Sequence, residues 1–318
     1  MPQLSASVRH TANGRSTPAC YTPVAEGAPV AKIETVAVVG AGTMGSGIAH
    51  VFARAGFRVL LCDLNQPILD RAVSQIRANL GREAAKGKLS EAEIEPALAR
   101  IATSTDREAL SAADIAPQIV IEAASERFDL KAELFRALDR ILPPDAILAT
   151  NTSSISIAKL ASETRRPSQV IGMHFFNPVP VMALVEIVRA PATSGETVAA
   201  IHALALQVGK TPVEVNDAPG FVSNRVLMPL INEAAFAVME GVATPEAVDQ
   251  IFKLGMAHPM GPLTLADLIG LDVCVDILRV LEEGFANPKY RPCPLLVRMV
   301  AAGQLGRKSG SGFYSYGN

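Results

Sequence analysis

Two ionisable residues in one stretch of the chain have the types and spacing to do proton chemistry. In residues 169–188, QVIGMHFFNPVPVMALVEIV, two apolar runs flank a turn built on Asn177, Pro178 and Pro180. Alternating apolar residues on either side of a Pro-rich turn predict two neighbouring strands. His174 is the ionisable residue of the first run and Glu186 that of the second, and the two are equally far from Pro180. Strands folded back about that point set imidazole and carboxylate opposite each other, about 5 Å apart at Cβ. A histidine held by a carboxylate is the base and orienter of general acid–base catalysis. The pair also suits two buried groups that are each satisfied locally, and this stretch by itself does not separate the readings.

The elements that must position such a pair begin at Ile33. Residues 33–55 read as a buried strand (Thr35–Val39), a Gly-rich turn and a helix. Gly40, Gly42 and Gly45 give G-x-G-x-x-G: the first permits the tight turn, the second lets a pyrophosphate reach the backbone, and the third packs helix on strand. The N–H groups at the helix start then face phosphate. The motif by itself is weak, but a second strand follows, FRVLLCD, ending in Asp63. An acid at that point accepts hydrogen bonds from the ribose hydroxyls and repels a 2′-phosphate, which predicts NAD(H) over NADP(H).

A long helical section, residues 66–100, is interrupted near Gly87, and Ser90 with Glu93 forms a capping-box pattern for a second helix. Arg71, Arg77, Arg82, Lys86 and Lys88 make this helix pair basic, either as a solvated face or as a dock for an anionic ligand. Strands and helices then alternate: IATST, QIVIEAAS, a helix over DLKAELFRALDRIL, and AILATNTSS. Ligands of open parallel sheets bind beyond the carboxyl ends of the strands, which puts Glu126, Asn151, Thr152, Ser153 and Ser154 beside the cofactor. One of Ser153 and Ser154 also suits the N-cap of the helix over SIAKLAS. Past Asp217 strand signals stop and helical periodicity takes over. The fold class is therefore α/β: an N-terminal Rossmann-type, mostly parallel sheet with helices on both faces, then an all-α C-terminal domain. The expected division is 1–31 disordered tail, 32–218 nucleotide domain and 219–318 helical domain. Leu, Ile, Val and Met on several faces of the last part predict burial against a second copy of the chain.

Composition excludes other classes. A net charge of −2 offers no basic field for nucleic acid or an anionic membrane. No run approaches the roughly 18 apolar residues of a membrane span. Cys20, Cys62, Cys274 and Cys293 are far apart, and the five histidines show no metal-ligand spacing, which fits a reducing compartment and predicts no metal. Residues 1–31 are rich in Ser, Thr, Pro, Ala and Gly, without the apolar core of a secretory signal.

GAGTMGSGIA, ASER, NTSS, HFFNPVPVM followed by LVE, DAPGFVSNR, NEA with EG, and AHPMGPLTLADLIGLD occur in that order. Over residues 33–316 the chain thereby resembles the L-3-hydroxyacyl-CoA dehydrogenase family, most closely its bacterial single-function 3-hydroxybutyryl-CoA dehydrogenases. The resemblance implies NAD-dependent oxidation of a 3-hydroxyacyl-CoA, and the reverse reduction. It implies that His174 is the base, Glu186 its orienter, and Ser153 and Asn224 the substrate contacts. Gly40, Gly42, Thr43, Met44, Gly45, Asp63, Glu126, Lys131, Ser153 and Asn177 fall at cofactor positions, and Lys86 at a contact to the CoA nucleotide. Where relatives have a Ser near that lysine, this chain has Asn79. The resemblance further implies a homodimer through the C-terminal helices and a bacterial cytoplasmic location in preference to a mitochondrial matrix. Three alternatives accompany it: a dehydrogenase of a non-CoA hydroxy acid, of gulonate or carnitine type, a noncatalytic NAD-binding, crystallin-like protein, and a Lys-dependent β-hydroxyacid dehydrogenase, which would need a lysine in the helix after the nucleotide domain where this chain has Asn224 and Arg225. The first diverges around HFFNPVPVM, and the second has no need of the four polar residues together.

Overall fold

The computed structural model describes residues 33–111 and 116–317. The tail expected over 1–31 lies outside the described residues.

The first part runs β1 (Thr35–Val39), α1 (Thr43–Arg54), β2 (Arg58–Cys62), α2 (Gln66–Ala85), α3 (Ile94–Ala99), β3 (Ile101–Ser104), β4 (Ile119–Glu122), α4 (Phe128–Ile141), β5 (Ile147–Thr150), α5 (Ile157–Ala161), β6 (Val170–Phe175), β7 (Leu184–Arg189), α6 (Gly195–Gln207) and β8 (Thr211–Asn216). The strands form one sheet in the order β3-β2-β1-β4-β5-β6-β7-β8. All neighbours are parallel except β6 and β7. This is the Rossmann-type sheet expected, with its order reversing between β1 and β4, where such folds bind ligand. β1 and β4 are buried along their whole length, as strands covered on both faces must be. One face packs Val36, Val38, Ile171, Met173 and Phe175 under α1, α2 and α6. The other packs Ala37, Val120 and Val170 under α4 and α5.

His174 follows the alternation of β6. Its neighbours Met173 and Phe175 belong to the first face, so its ring points to the second, as does the Glu186 carboxylate. The predicted register holds: His174 pairs with Glu186 across the antiparallel β6–β7 ladder. Gly172, on the same face, has no room for a side chain, because a Cβ would stand 2.7 Å from Val188 and 3.1 Å from Ile157.

The second part is helical: α7 (Ser223–Met239), α8 (Pro245–Gly255), α9 (Pro262–Ile269), α10 (Leu271–Phe285) and α11 (Pro294–Ala301), around a core of Met228, Ile231, Leu271, Leu278 and Leu281. The capping box at Ser90 and Glu93 is formed, ahead of a short 3₁₀ turn and α3. One sequence expectation is corrected. The N-cap of α5 is Ser156, whose hydroxyl accepts from the Lys159 N–H, so neither Ser153 nor Ser154 is needed as a cap.

The first part also contains a buried ion pair. Arg166, 8% exposed, donates to the Asp139 carboxylate at 2.8 Å and to the carbonyls of Asp139 and Leu142 at the open end of α4. Burial pushes the Asp139 carboxyl up, but Arg165 and Arg166 outweigh it and hold the group below the ordinary carboxylate range. A depressed carboxyl stabilises the fold above its unfolded pKa, near 4, and that stabilisation is lost as pH falls through the folded value. Arg166→Ala should cost about 3 kcal/mol in urea denaturation at pH 7, because the carboxylate stays buried with a weaker partner. The variant should also lose less stability than the parent between about pH 5 and pH 3; equal acid slopes would refute the assignment.

Candidate active site

The Gly-rich turn takes its shape from steric limits. Gly40 has φ +102°, and a Cβ there would stand 2.6 Å from the Ala123 carbonyl. At Gly45 a Cβ would overlap the Gly40 carbonyl at 1.7 Å, so this glycine seats α1 on the turn. Gly42 differs: a Cβ there meets nothing within 4 Å. It opens onto grooves on both sides of the turn and starts α1 with no side chain over its first N–H groups. That open cradle fits a pyrophosphate on a helix N-terminus. β2 stops at Cys62, so Asp63 lies just beyond the strand. One carboxylate oxygen accepts from the Ala41 N–H at 2.7 Å and the other from Leu64 N–H at 2.8 Å. Asp63, Leu64, Arg107 and Ala124 line a groove of about 450 Å³ that suits an adenosine. The residues present fit a dinucleotide.

At the next strand ends Glu126 joins two loops. Its carboxylate accepts from the Thr152 hydroxyl at 2.5 Å, the Ser153 N–H at 2.9 Å and the Ser154 hydroxyl at 3.0 Å. Burial pushes this carboxyl up, but Lys131 and those donors outweigh it and hold it down. Lys131 is only 1% exposed; its ammonium donates to Glu122 at 2.6 Å and to the Ala124 carbonyl at 3.2 Å, and lies 3.4 Å from Glu126. The structure thus sets Lys131 beneath the loop, where it supports Glu126. Glu122, fully buried, also accepts from the Thr150 hydroxyl at 2.6 Å. Glu122 carries no role in the sequence reading, and the acid that closes the apolar run IVIE is the signal for it.

The hairpin completes the cluster. His174 Nδ1 is 2.8 Å from a Glu186 carboxylate oxygen, with both side chains buried. An ionised carboxylate only accepts, so Nδ1–H is the donor and Nε2 is the nitrogen left for proton exchange. Burial pushes the Glu186 carboxyl up, but hydrogen bonds from His174 and Ser223 hold it below the ordinary range. Ser223, absent from the sequence expectations, donates through its N–H at 3.1 Å and its hydroxyl at 2.8 Å. Asn224 is 8% exposed, and its amide donates to the Ser153 carbonyl at 3.0 Å. Asn151 accepts from the Phe175 N–H at 2.8 Å, tying the end of β5 to that of β6. The expected residues therefore fall in two hydrogen-bonded groups, His174 with Glu186 and Glu126 with Ser153 and Asn224, which meet where Ser223 and Asn224 follow each other in the chain.

Asn177 and Pro178 line a groove of about 550 Å³ together with Gly42, Arg71, Gln75 and Asn79. Arg71 faces this groove directly, whereas Lys86 caps the end of α2, exposed, about two turns beyond Asn79.

The model of the 3-hydroxyacyl-CoA dehydrogenase NAD binding domain matches residues 35–218, and that of the family's C-terminal domain matches residues 220–316. The chain belongs to the 3-hydroxyacyl-CoA dehydrogenase family. A probable 3-hydroxybutyryl-CoA dehydrogenase of Bacillus subtilis is 55% identical over 90% of this chain and 98% of that protein. The 3-hydroxybutyryl-CoA dehydrogenase of Bradyrhizobium diazoefficiens is 48% identical over 90% and 96%. The crystal structure of (S)-3-hydroxybutyryl-CoA dehydrogenase from Ralstonia eutropha superposes with a TM-score of 0.87 at 50% identity, covering 90% of this chain and all of that one (100%). Membership of this family fixes NAD as the cofactor and oxidoreduction as the reaction class.

Two glycine substitutions separate cradle from scaffold. Gly42→Ala should weaken NADH binding at least about ten-fold, since each 1.4 kcal/mol of lost contact is a decade, while the melting temperature stays within a few degrees. Gly45→Ala should lower the melting temperature itself. NADH fluorescence titration beside thermal melts checks both, and a Gly42→Ala protein that binds NADH normally would remove the cradle.

Proposed function

We propose that this enzyme interconverts an L-3-hydroxyacyl-CoA of 3-hydroxybutyryl type and the 3-oxoacyl-CoA. The observation that carries the proposal is the buried His174–Glu186 pair at 2.8 Å, on the sheet face where Asn224 meets the Ser153 loop. When bound, NAD⁺ supplies the hydride acceptor. His174 Nε2 takes the hydroxyl proton during oxidation and returns it during reduction. Glu186 fixes the tautomer and stabilises the imidazolium, while Ser223 keeps Glu186 ionised and aimed. Ser153 and Asn224 hold the substrate oxygens, which aligns the reacting atoms. Gly40, Gly42, Thr43, Met44, Gly45, Asp63, Glu126 and Asn177 frame the cofactor, with Lys131 supporting Glu126.

The groove between α2 and the Asn177 turn takes the acyl-CoA, with Arg71 and the more distant Lys86 as its cationic contacts. The relatives named for 3-hydroxybutyryl-CoA support this choice over gulonate- or carnitine-type substrates. The intact His174–Glu186–Ser223 chain supports catalysis over a crystallin-like role. We also divide the chain into a nucleotide unit over 32–218 and a helical unit over 219–318. Val226, Ile251, Leu254, Met256 and Leu268 leave apolar surface exposed on the helical unit, which supports a homodimer through it. Three buried free cysteines, Cys62, Cys274 and Cys293, and the bacterial relatives support a cytoplasmic location. Among the described residues no helix is long and apolar enough to cross a membrane.

NADH oxidation should proceed with acetoacetyl-CoA and not with free acetoacetate; the opposite preference would sink the CoA assignment. His174→Gln should lower kcat by about 10²-fold or more through loss of proton transfer, and an unchanged kcat would overturn the role of His174. Arg71→Glu should raise KM for acetoacetyl-CoA several-fold with little change in kcat, the mark of an interaction made equally in ground and transition states. Light scattering at micromolar concentration should give a dimer; a monomer would refute that part.

A further inference from the structure

Lys210 takes no part in the chemistry above, yet it is 7% exposed at the head of β8. Lysines are almost never buried without a specific partner. Its ammonium donates to the Val179 carbonyl at 2.5 Å and the Met182 carbonyl at 2.7 Å. Both carbonyls belong to the turn between β6 and β7. Retaining the charge there opposes its surroundings: burial first, then the Arg54 guanidinium, pull the group below the ordinary lysine value, and Glu83 acts the other way.

The turn needs such an anchor. Val181 and Met182 N–H groups both donate to the Pro178 carbonyl, which closes the turn but leaves the Val179 and Met182 carbonyls to find partners elsewhere. Buried carbonyls without partners are rare in folded proteins. On its inner side Val179 is 2% exposed and presses on α1 at Gly47, where a Cβ would stand 2.8 Å from the valine Cβ. On its outer side Val181 is 73% exposed. The turn is therefore fixed from within by the packing of Val179 into the core and from the sheet by the Lys210 cation. Asn177, Pro178, Val179 and Pro180 form one wall of the groove opposite Arg71, Gln75 and Asn79.

We infer that Lys210 is a positioning residue of the reaction: it pins the turn through the Val179 and Met182 carbonyls, and so sets where Asn177 and one wall of the acyl-CoA groove stand. The inference rests on the proposed function for the identity of the ligand in that groove, and not for the clamp itself. Lys210 acts through the backbone of the turn and touches neither reacting atom.

Lys210→Met keeps the stem and removes every donor; Lys210→Arg keeps charge and donors. In Lys210→Met the KM for acetoacetyl-CoA and the dissociation constant of NADH should both rise at least about ten-fold, the scale on which small misplacements are felt. Lys210→Arg should return both to within a few-fold of the parent. If Lys210→Met does not fold, Lys210→Gln, with one amide donor group, should show an intermediate rise in both constants. Normal constants per folded molecule with only a lowered melting temperature overturn the inference, because a merely structural lysine behaves so. A parent enzyme that binds NADH but does not reduce acetoacetyl-CoA refutes the proposed substrate instead. NADH titration then decides on Lys210: unaltered affinity in Lys210→Met overturns the clamp, and weakened affinity supports it.

Discussion

A carboxylate buried within a sheet is the constraint to which the rest of this structure answers. Glu186 is 3% exposed and would be expensive there without partners. It receives the His174 ring from β6 and both the N–H and the hydroxyl of Ser223 from the first turn of α7. These donors come from opposite sides of the junction between sheet and helical part. The helical part is thereby located by a charge that the sheet must neutralise, and the same carboxylate orients the His174 ring. Coupling of this kind gives the seating of the helical part and the orientation of His174 a common origin in Glu186.

A second buried network repeats the logic at the cofactor edge. Glu122, Lys131 and Thr150 lie under the loops that Glu126 ties together. The partly exposed Glu126 is thus backed by the buried Lys131, a partner of opposite charge. A residue needing an accuracy of a fraction of an ångström is held best when its neighbour has no alternative arrangement.

The elements most legible from sequence were those whose pattern is enforced locally. The period-2 alternation around HFFNPVP gave the register of His174 against Glu186, because a slip of one residue would have turned every apolar side chain to the wrong face. The Gly40–Gly45 turn was legible because steric exclusion leaves few choices at those positions. What stayed hidden was long-range. Ser223 looked like an ordinary polar residue in GFVSNR, since its partner is far away in sequence. Lys131 looked available to ligand, because Glu122 beneath it reads as the end of an apolar strand. Ser156 was passed over as the α5 cap in favour of its neighbours, a boundary error of the kind local propensity cannot settle.

The reversal of direction at β7 has one further consequence. Because β7 and β8 run against the first six strands, the chain leaves β8 at the end of the sheet away from the cofactor edge. To begin α7 it must double back across the face that carries His174, bringing Phe221 within 5.9 Å of the imidazole ring. Neither half of the chain therefore owns the site. A descendant that exchanged its helical half for another would keep the Gly-rich turn and the His174–Glu186 pair but lose the Ser223 donors to Glu186. An incoming half would have to bring its own donors to Glu186 and to the Ser153 carbonyl at the head of its first helix.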